Sequence, residues 1–135
     1  MALTIVTGPP AAGKSTWVAQ HAKAGDIVID YDRLANALTV GADTHDHTDP
    51  VRSVALEARA AAITRALRYA GRVDVYVIHT SIPVPAMALY RRHKAKVVIV
   101  DPGPEVVFAR CEAERPDWAL PIAKQWYARH RKAAG

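Results

Sequence analysis

A three-layer α/β fold is predicted for this chain, with helices on both faces of a four-stranded parallel sheet ordered 2-3-1-4 and a small helical lid. Three observations predict it. Four short apolar, β-branched runs recur along the chain, and segments of helical periodicity separate them. A glycine-rich turn joins the first run to the first helical segment, and Gly or Pro marks most of the other boundaries. The runs show little polar alternation, so both faces of the sheet need cover and ligands should gather at the carboxyl ends of the strands.

The first strand is Ala2-Leu3-Thr4-Ile5-Val6-Thr7, and a helix runs from Lys14 through Gln20 to His21. After Gly25 the second strand, Asp26-Ile27-Val28-Ile29-Asp30, ends in an acid and leads into a helix with Leu34, Ala37 and Leu38 on one side. Residues 41–48 form a polar loop without periodicity. Asp49 reads as an N-cap and Pro50 as the first residue of a long alanine-rich helix, with Leu56, Ala60, Ile63, Leu67 and Ala70 as its apolar stripe up to Gly71. Val73 to Ile78 form the third strand, Pro85 to His93 a helix, and Val97 to Asp101 the fourth strand. A helix from Glu105 to about Glu114 breaks at Arg115-Pro116. The last helix, from near Pro121 to Lys132, packs Ile122, Trp126 and Tyr127.

With 135 residues, half of them hydrophobic, the chain reads as one domain over residues 1–135. Met1 to Val6 lacks a basic start and its apolar run ends at Gly8, Pro9 and Pro10, so no signal peptide is expected. No membrane-length apolar stretch occurs either. The lone Cys111 cannot close an internal disulfide, which suits a cytoplasmic setting, and it reads as a small buried hydrophobe. Charge is uneven: residues 1–90 hold 8 basic and 8 acidic side chains, and residues 91–135 hold 10 and 5. The excess of +5 thus lies in the last third, which suits either a polyanionic substrate or a solvated basic surface.

Residues 8–15, Gly8-Pro9-Pro10-Ala11-Ala12-Gly13-Lys14-Ser15, fit GxxxxGK[ST] at every fixed position, between a strand and a helix as that motif requires. This is a P-loop, the signature of a P-loop NTPase. Its backbone N–H groups and the helix N-terminus face a phosphate chain. Gly8, Pro9, Ala11, Ala12, Gly13, Lys14, Ser15 and Thr16 therefore form the expected ATP cradle. Lys14 would reach the β and γ phosphates, and Ser15 would ligate Mg²⁺.

The second strand delivers Asp30-Tyr31-Asp32-Arg33. At a spacing of three, Asp30 can deprotonate an attacking hydroxyl and Arg33 can hold a phosphate of the acceptor, unless they are only an N-cap and a surface arginine. The third strand ends in His79 where many such enzymes carry an acid, so either Asp30 or Asp101 assists the metal or Ser15, phosphates and water hold it alone; His79 itself is either a substrate contact or a packed core histidine. Arg110 and Arg115 flank the break before the last helix, where arginines can spread the charge of a transferring phosphoryl group; the alternatives are a pair with Glu114 and a helix C-terminal charge. His45 and His47 are not read as metal ligands, because no partner pair of zinc-site spacing exists; their loop borders the acceptor pocket. Arg65, Arg68 and Arg72 could touch nucleic acid but read better as a solvated face, and Trp17, Trp118 and Trp126 could stack on bases but read better as core.

The order GxxxxGKST-W, then D-x-x-R after the second strand, then arginines before a last helix, resembles the kinase domain of phage-type polynucleotide 5′-kinases from Thr4 to about Arg131. The resemblance implies Mg²⁺-dependent transfer from ATP to the 5′-hydroxyl of DNA or RNA. Lys14, Asp30, Arg33 and Arg115 would be the catalytic residues and Arg110 a further nucleotide contact. The chain departs from the family at His79-Thr80, where an acid is usual, and in the spacing of Arg110 and Arg115. A kinase for a small molecule or nucleoside monophosphate, and an ATP-hydrolysing accessory module on nucleic acid, are the alternative readings.

Overall fold

The computed structural model describes residues 2–134, the last four by backbone alone. Met1, part of the leader argument, lies outside the described residues. Four strands, β1 (Leu3–Thr7), β2 (Ile27–Ile29), β3 (Val75–His79) and β4 (Lys96–Ile99), form a parallel sheet in the order β2-β3-β1-β4. Six α-helices connect and cover them: α1 (Lys14–His21), α2 (Tyr31–Ala37), α3 (Asp49–Ala66), α4 (Val84–Arg92), α5 (Pro104–Glu114) and α6 (Ala119–Ala134). The predicted class and strand order both hold.

Alternation along the strands explains the layers. Leu3, Ile5, Ile29, Val75 and Val77 point to one face and pack with Ile63 and Ala66 of α3 and Tyr90 of α4. Their neighbours Val6, Tyr76 and Ile78 point to the other face and meet Val18 of α1. Neighbouring residues of β1 are thus fully buried on opposite sides, as a helix-covered parallel sheet demands. A third cluster joins Val107 and Cys111 of α5 to Ala119 and Ala123 of α6 and to Ala11 and Ala12 of the glycine loop. Cys111 is buried as expected.

Several expectations need correction. β4 is an edge strand with Val97 42% and Ile99 58% exposed, because the cluster under α3 and α4 takes its strand residues from β1, β2 and β3 alone. Thr48, not Asp49, is the N-cap of α3, and Leu56 and Ala60 face solvent while Ala55 is buried. Ile122 and Trp118 are exposed rather than core, whereas Trp126 is buried. Arg91, Arg92, His93, Lys94 and Lys96 are exposed where α4 turns into β4, at the amino end of the sheet and away from the glycine loop.

Candidate active site

The loop between β1 and α1 is shaped by backbone that L-residues rarely adopt. Gly8 has φ +154°, and a Cβ there would overlap the Val100 carbonyl oxygen. Gly13 has φ +99° and serves as N-cap of α1 without any side-chain cap. Ala11 sits at φ +61° despite its Cβ, a strain of about 1–2 kcal/mol that the surrounding packing must hold. With no acidic residue in its first turn, α1 keeps its amino-terminal N–H groups and positive dipole end open to an anion. Lys14 Nζ folds over the loop, donating to the carbonyls of Gly8 at 2.6 Å and Pro9 at 3.1 Å and to Thr80 Oγ1 at 3.3 Å. Burial lowers its pKa to about 8, and Arg115 adds to the depression while Asp30 and Asp32 oppose it.

Asp30 meets this loop from the end of β2. It is buried, with extended φ and ψ, and its Oδ1 caps α2 by accepting from the Asp32 N–H at 3.2 Å. Its other oxygen accepts from Ser15 Oγ at 3.0 Å. One carboxylate therefore both starts a helix and faces the phosphate loop. Ser15 and Asp30 offer adjacent hard oxygen donors of the kind Mg²⁺ takes, so they fit the implied ion, with phosphates and water completing its shell. Among the described residues no group of three or more His, Cys, Asp or Glu could hold a metal by itself.

Arg33, the other half of the D-x-x-R reading, is exposed and lies outside the residues that line the cleft. Arg59 of α3 stands there instead. Its Nη2 donates to the Ile78 carbonyl at 2.6 Å, its Nε is buried without a partner, and burial lowers its pKa. His79 is a buried core histidine: its Nε2 pairs with the Tyr90 hydroxyl at 2.7 Å, and burial, with Arg59 and Lys14 nearby, lowers its pKa to about 4. Asp101 is occupied elsewhere, bonded to the Gly103 N–H and the Tyr127 hydroxyl, which leaves Asp30 as the acid beside Ser15. Thr80 takes the strand-end position, its hydroxyl accepting from Lys14 and its carbonyl from Trp126 Nε1 at 2.9 Å.

The α5–α6 hairpin, the expected lid, lies over the carboxyl end of the sheet. Arg110 Nη1 donates to the Ala11 carbonyl at 3.2 Å, and Arg115 lines the cleft with Lys14 and Asp30. Two spaces flank the loop. One, of about 450 Å³, contains Lys14, Ser15, Asp30, Arg59, Thr80 and Arg115; the other, of about 560 Å³, contains Gly13, Thr16, Trp17, Gln20, Arg110 and Arg115.

A family model, AAA_33, described as an AAA domain, matches residues 3–117. The chain belongs to this AAA family. No curated protein matches it. Among solved structures the AAA domain described here is similar to the tunicamycin resistance protein of Deinococcus radiodurans, at 17% identity and a TM-score of 0.57, over 96% of this chain and 80% of that one. That likeness concerns the fold. The resemblance drawn from sequence thus holds at the level of a P-loop kinase-like fold.

Within the AAA domain, the geometry gathers Gly8, Pro9, Ala11, Ala12, Gly13, Lys14 and Ser15 into one loop, with Asp30, Arg110 and Arg115 around it. His45 and His47 both bond Asp32, at 3.0 and 2.8 Å, and border the cleft as their loop was expected to. Arg59 and Thr80, which sequence did not single out, also line the cleft, as does Trp118, which sequence offers as a base-stacking or core residue. Arg59 was detectable in principle, since Arg52, Leu56, Arg59 and Ile63 share a helical face.

Proposed function

We propose that this chain is a kinase that transfers the ATP γ-phosphoryl group to a hydroxyl, with a compact hydroxylated molecule as acceptor. The observation that carries the reading is the bond from Ser15 to Asp30 beside Lys14, which sets a carboxylate against the phosphate loop. The triphosphate would lie along the loop N–H groups, and the space lined by Arg110 and Trp17 is open to the nucleoside. Asp30 Oδ2 retains a lone pair for the acceptor. The acceptor oxygen attacks the γ phosphorus, its proton passes to Asp30, and the bridging P–O bond breaks to release ADP. Lys14 and Arg115 face the charge on the transferring group. Mg²⁺, held through Ser15 with Asp30 in reach, would supply charge neutralisation of the phosphates.

A compact acceptor is favoured because Arg33 stands outside the cleft and the exposed basic run from Arg91 to Lys96 lies at the far end of the sheet. The nucleic-acid 5′-hydroxyl reading retains one supporting observation, the cations Arg52 and Arg59 on the cleft face of α3. Labelled ATP and Mg²⁺ with a panel of acceptors tests both: sugars, nucleosides, nucleoside monophosphates, tunicamycin (named in the Deinococcus radiodurans protein) and a 5′-hydroxyl oligonucleotide. Phosphate release without any labelled acceptor would sink the kinase reading and favour an ATP-hydrolysing module.

A further inference from the structure

The cleft continues past Asp30 into an outer chamber of about 500 Å³. The two spaces share five residues, Tyr31, His45, Leu56, Trp118 and Ile122, which therefore form the neck between them. Trp118 and Ile122 come from the lid hairpin, and Tyr31 and Leu56 from α2 and α3. Single exposed hydrophobes are ordinary, but Leu56 at 54%, Trp118 at 47% and Ile122 at 39% converge on one concavity, which marks a ligand surface. The aromatic part of the neck is braced before any ligand arrives. Tyr31 meets the ring of His47 edge-on at 5.5 Å, and Asp32 holds both His47 and His45.

Charge in the outer chamber argues against a polyanion. Among the described residues Arg52 is the only lysine or arginine lining it, and it shares the lining with Asp46, while the Asp32 carboxylate is bonded to two of the lining histidines. A nucleic-acid chain gains most of its affinity from several phosphate contacts, and among the described residues only Arg59 and Arg52 on α3 follow the passage from the inner space to the outer one.

We infer that the acceptor carries a flat, largely apolar ring body, seated in the neck against Trp118 and Tyr31, with its hydroxyl reaching inward to Asp30 and its polar substituents in the outer chamber. The hydroxyl's role rests on the kinase reading; the ring subsite does not. The test separates binding from transfer. Thymidine and 2-phenylethanol serve as ring probes, glycerol as a ringless alcohol, and a 5′-hydroxyl oligonucleotide as the polyanion. Each is titrated calorimetrically in the presence of a non-hydrolysable ATP analogue, then offered with ATP.

The ring probes should bind better than glycerol. Trp118→Ala should weaken them about ten-fold or more, through a raised KM where transfer occurs, and Trp118→Phe should restore most of the loss. Equal binding of glycerol and the ring probes, or ring-probe binding indifferent to Trp118→Ala, would overturn the inference. So would tightest binding of the oligonucleotide, with affinity falling steeply as salt rises. Ring probes bound through Trp118 but never phosphorylated would uphold the ring subsite and defeat the kinase reading instead.

Discussion

The two halves of the cleft are built from different materials. The proposed donor half is mainly backbone: Gly8, Ala11 and Gly13 take positive φ, and the loop N–H dipoles are joined by the side chains of Lys14, Ser15 and Arg110. The proposed acceptor half is side chain: Asp30 and Tyr31 come from the start of α2, Arg59 from α3 and Trp118 from the lid hairpin, three places tens of residues apart in sequence. A backbone device needs particular residues at particular spacings, whereas a side-chain device needs only that distant helices present the right faces. The first is therefore read directly from sequence, and the second is free to change its ligand while the first stays constant.

The comparison can be broken by substitutions in each half. Asp30→Asn should cut turnover by about 10²–10⁴-fold while Tm stays nearly constant, because Asn also caps a helix and retains the α2 start. Kinetics with the best acceptor, beside a melting curve, checks both. If turnover survives, the carboxylate is a cap only, and the acceptor half has no base. Gly8→Ala should destabilise the fold by about 3 kcal/mol, measured by urea denaturation, because its Cβ must displace the Val100 carbonyl. Arg59→Met should raise the acceptor KM about ten-fold with little change in ATP affinity, whereas Arg33→Met should leave both within about two-fold. Equal losses in the two arginine variants would return Arg33 to the site.

Two pH dependences complete the set. Lys14 is lowered to about 8 from 10.5, so between those values the unfolded chain holds the extra proton and stability rises with pH. Lys14→Met should flatten that rise. ATP binding runs the other way, weakening several-fold from pH 7 to 9 as the ammonium is lost, and titrations of an ATP analogue at both pH values check it. His79, lowered to about 4 from 6.5, costs stability as pH falls from 6.5 toward 4, since the unfolded state then binds the proton first. His79→Gln should shallow the acid limb of a stability profile.

The difference in materials also explains what could be read from sequence. Four strands and the glycine loop followed from apolar runs and fixed spacings, and the strand order from the P-loop NTPase fold that the loop implies. The apolar face of α3 did not, because an alanine-rich helix gives little contrast between faces, and Leu56 and Ala60 looked as buried as Ala55 and Ala66 prove to be. Of the Asp30-x-x-Arg33 pair, Asp30 caps α2 and turns its second oxygen to Ser15, while Arg33 is exposed and outside the cleft lining, a difference of side-chain direction that spacing alone does not reveal. Trp118 and Ile122 are the kinds of residue that sequence predicts to be core; only the path of the lid hairpin reveals that they face the cleft.

The anchoring of α6 has a kinetic consequence. Trp126 is bonded to the Thr80 carbonyl and Tyr127 to Asp101, and α5 is tied to the glycine loop through Arg110 and the Val107–Cys111 cluster. The roof of the cleft is thereby bolted at three points, all of which a swing of the hairpin as one body would have to break. Rotation of Arg115, Trp118 and their neighbours breaks none of them, and such motions take picoseconds to nanoseconds rather than the microseconds to milliseconds of a hinged closure. Opening would then add no slow step to the cycle, and the catalytic clock would be set by bond-making or by departure of ADP.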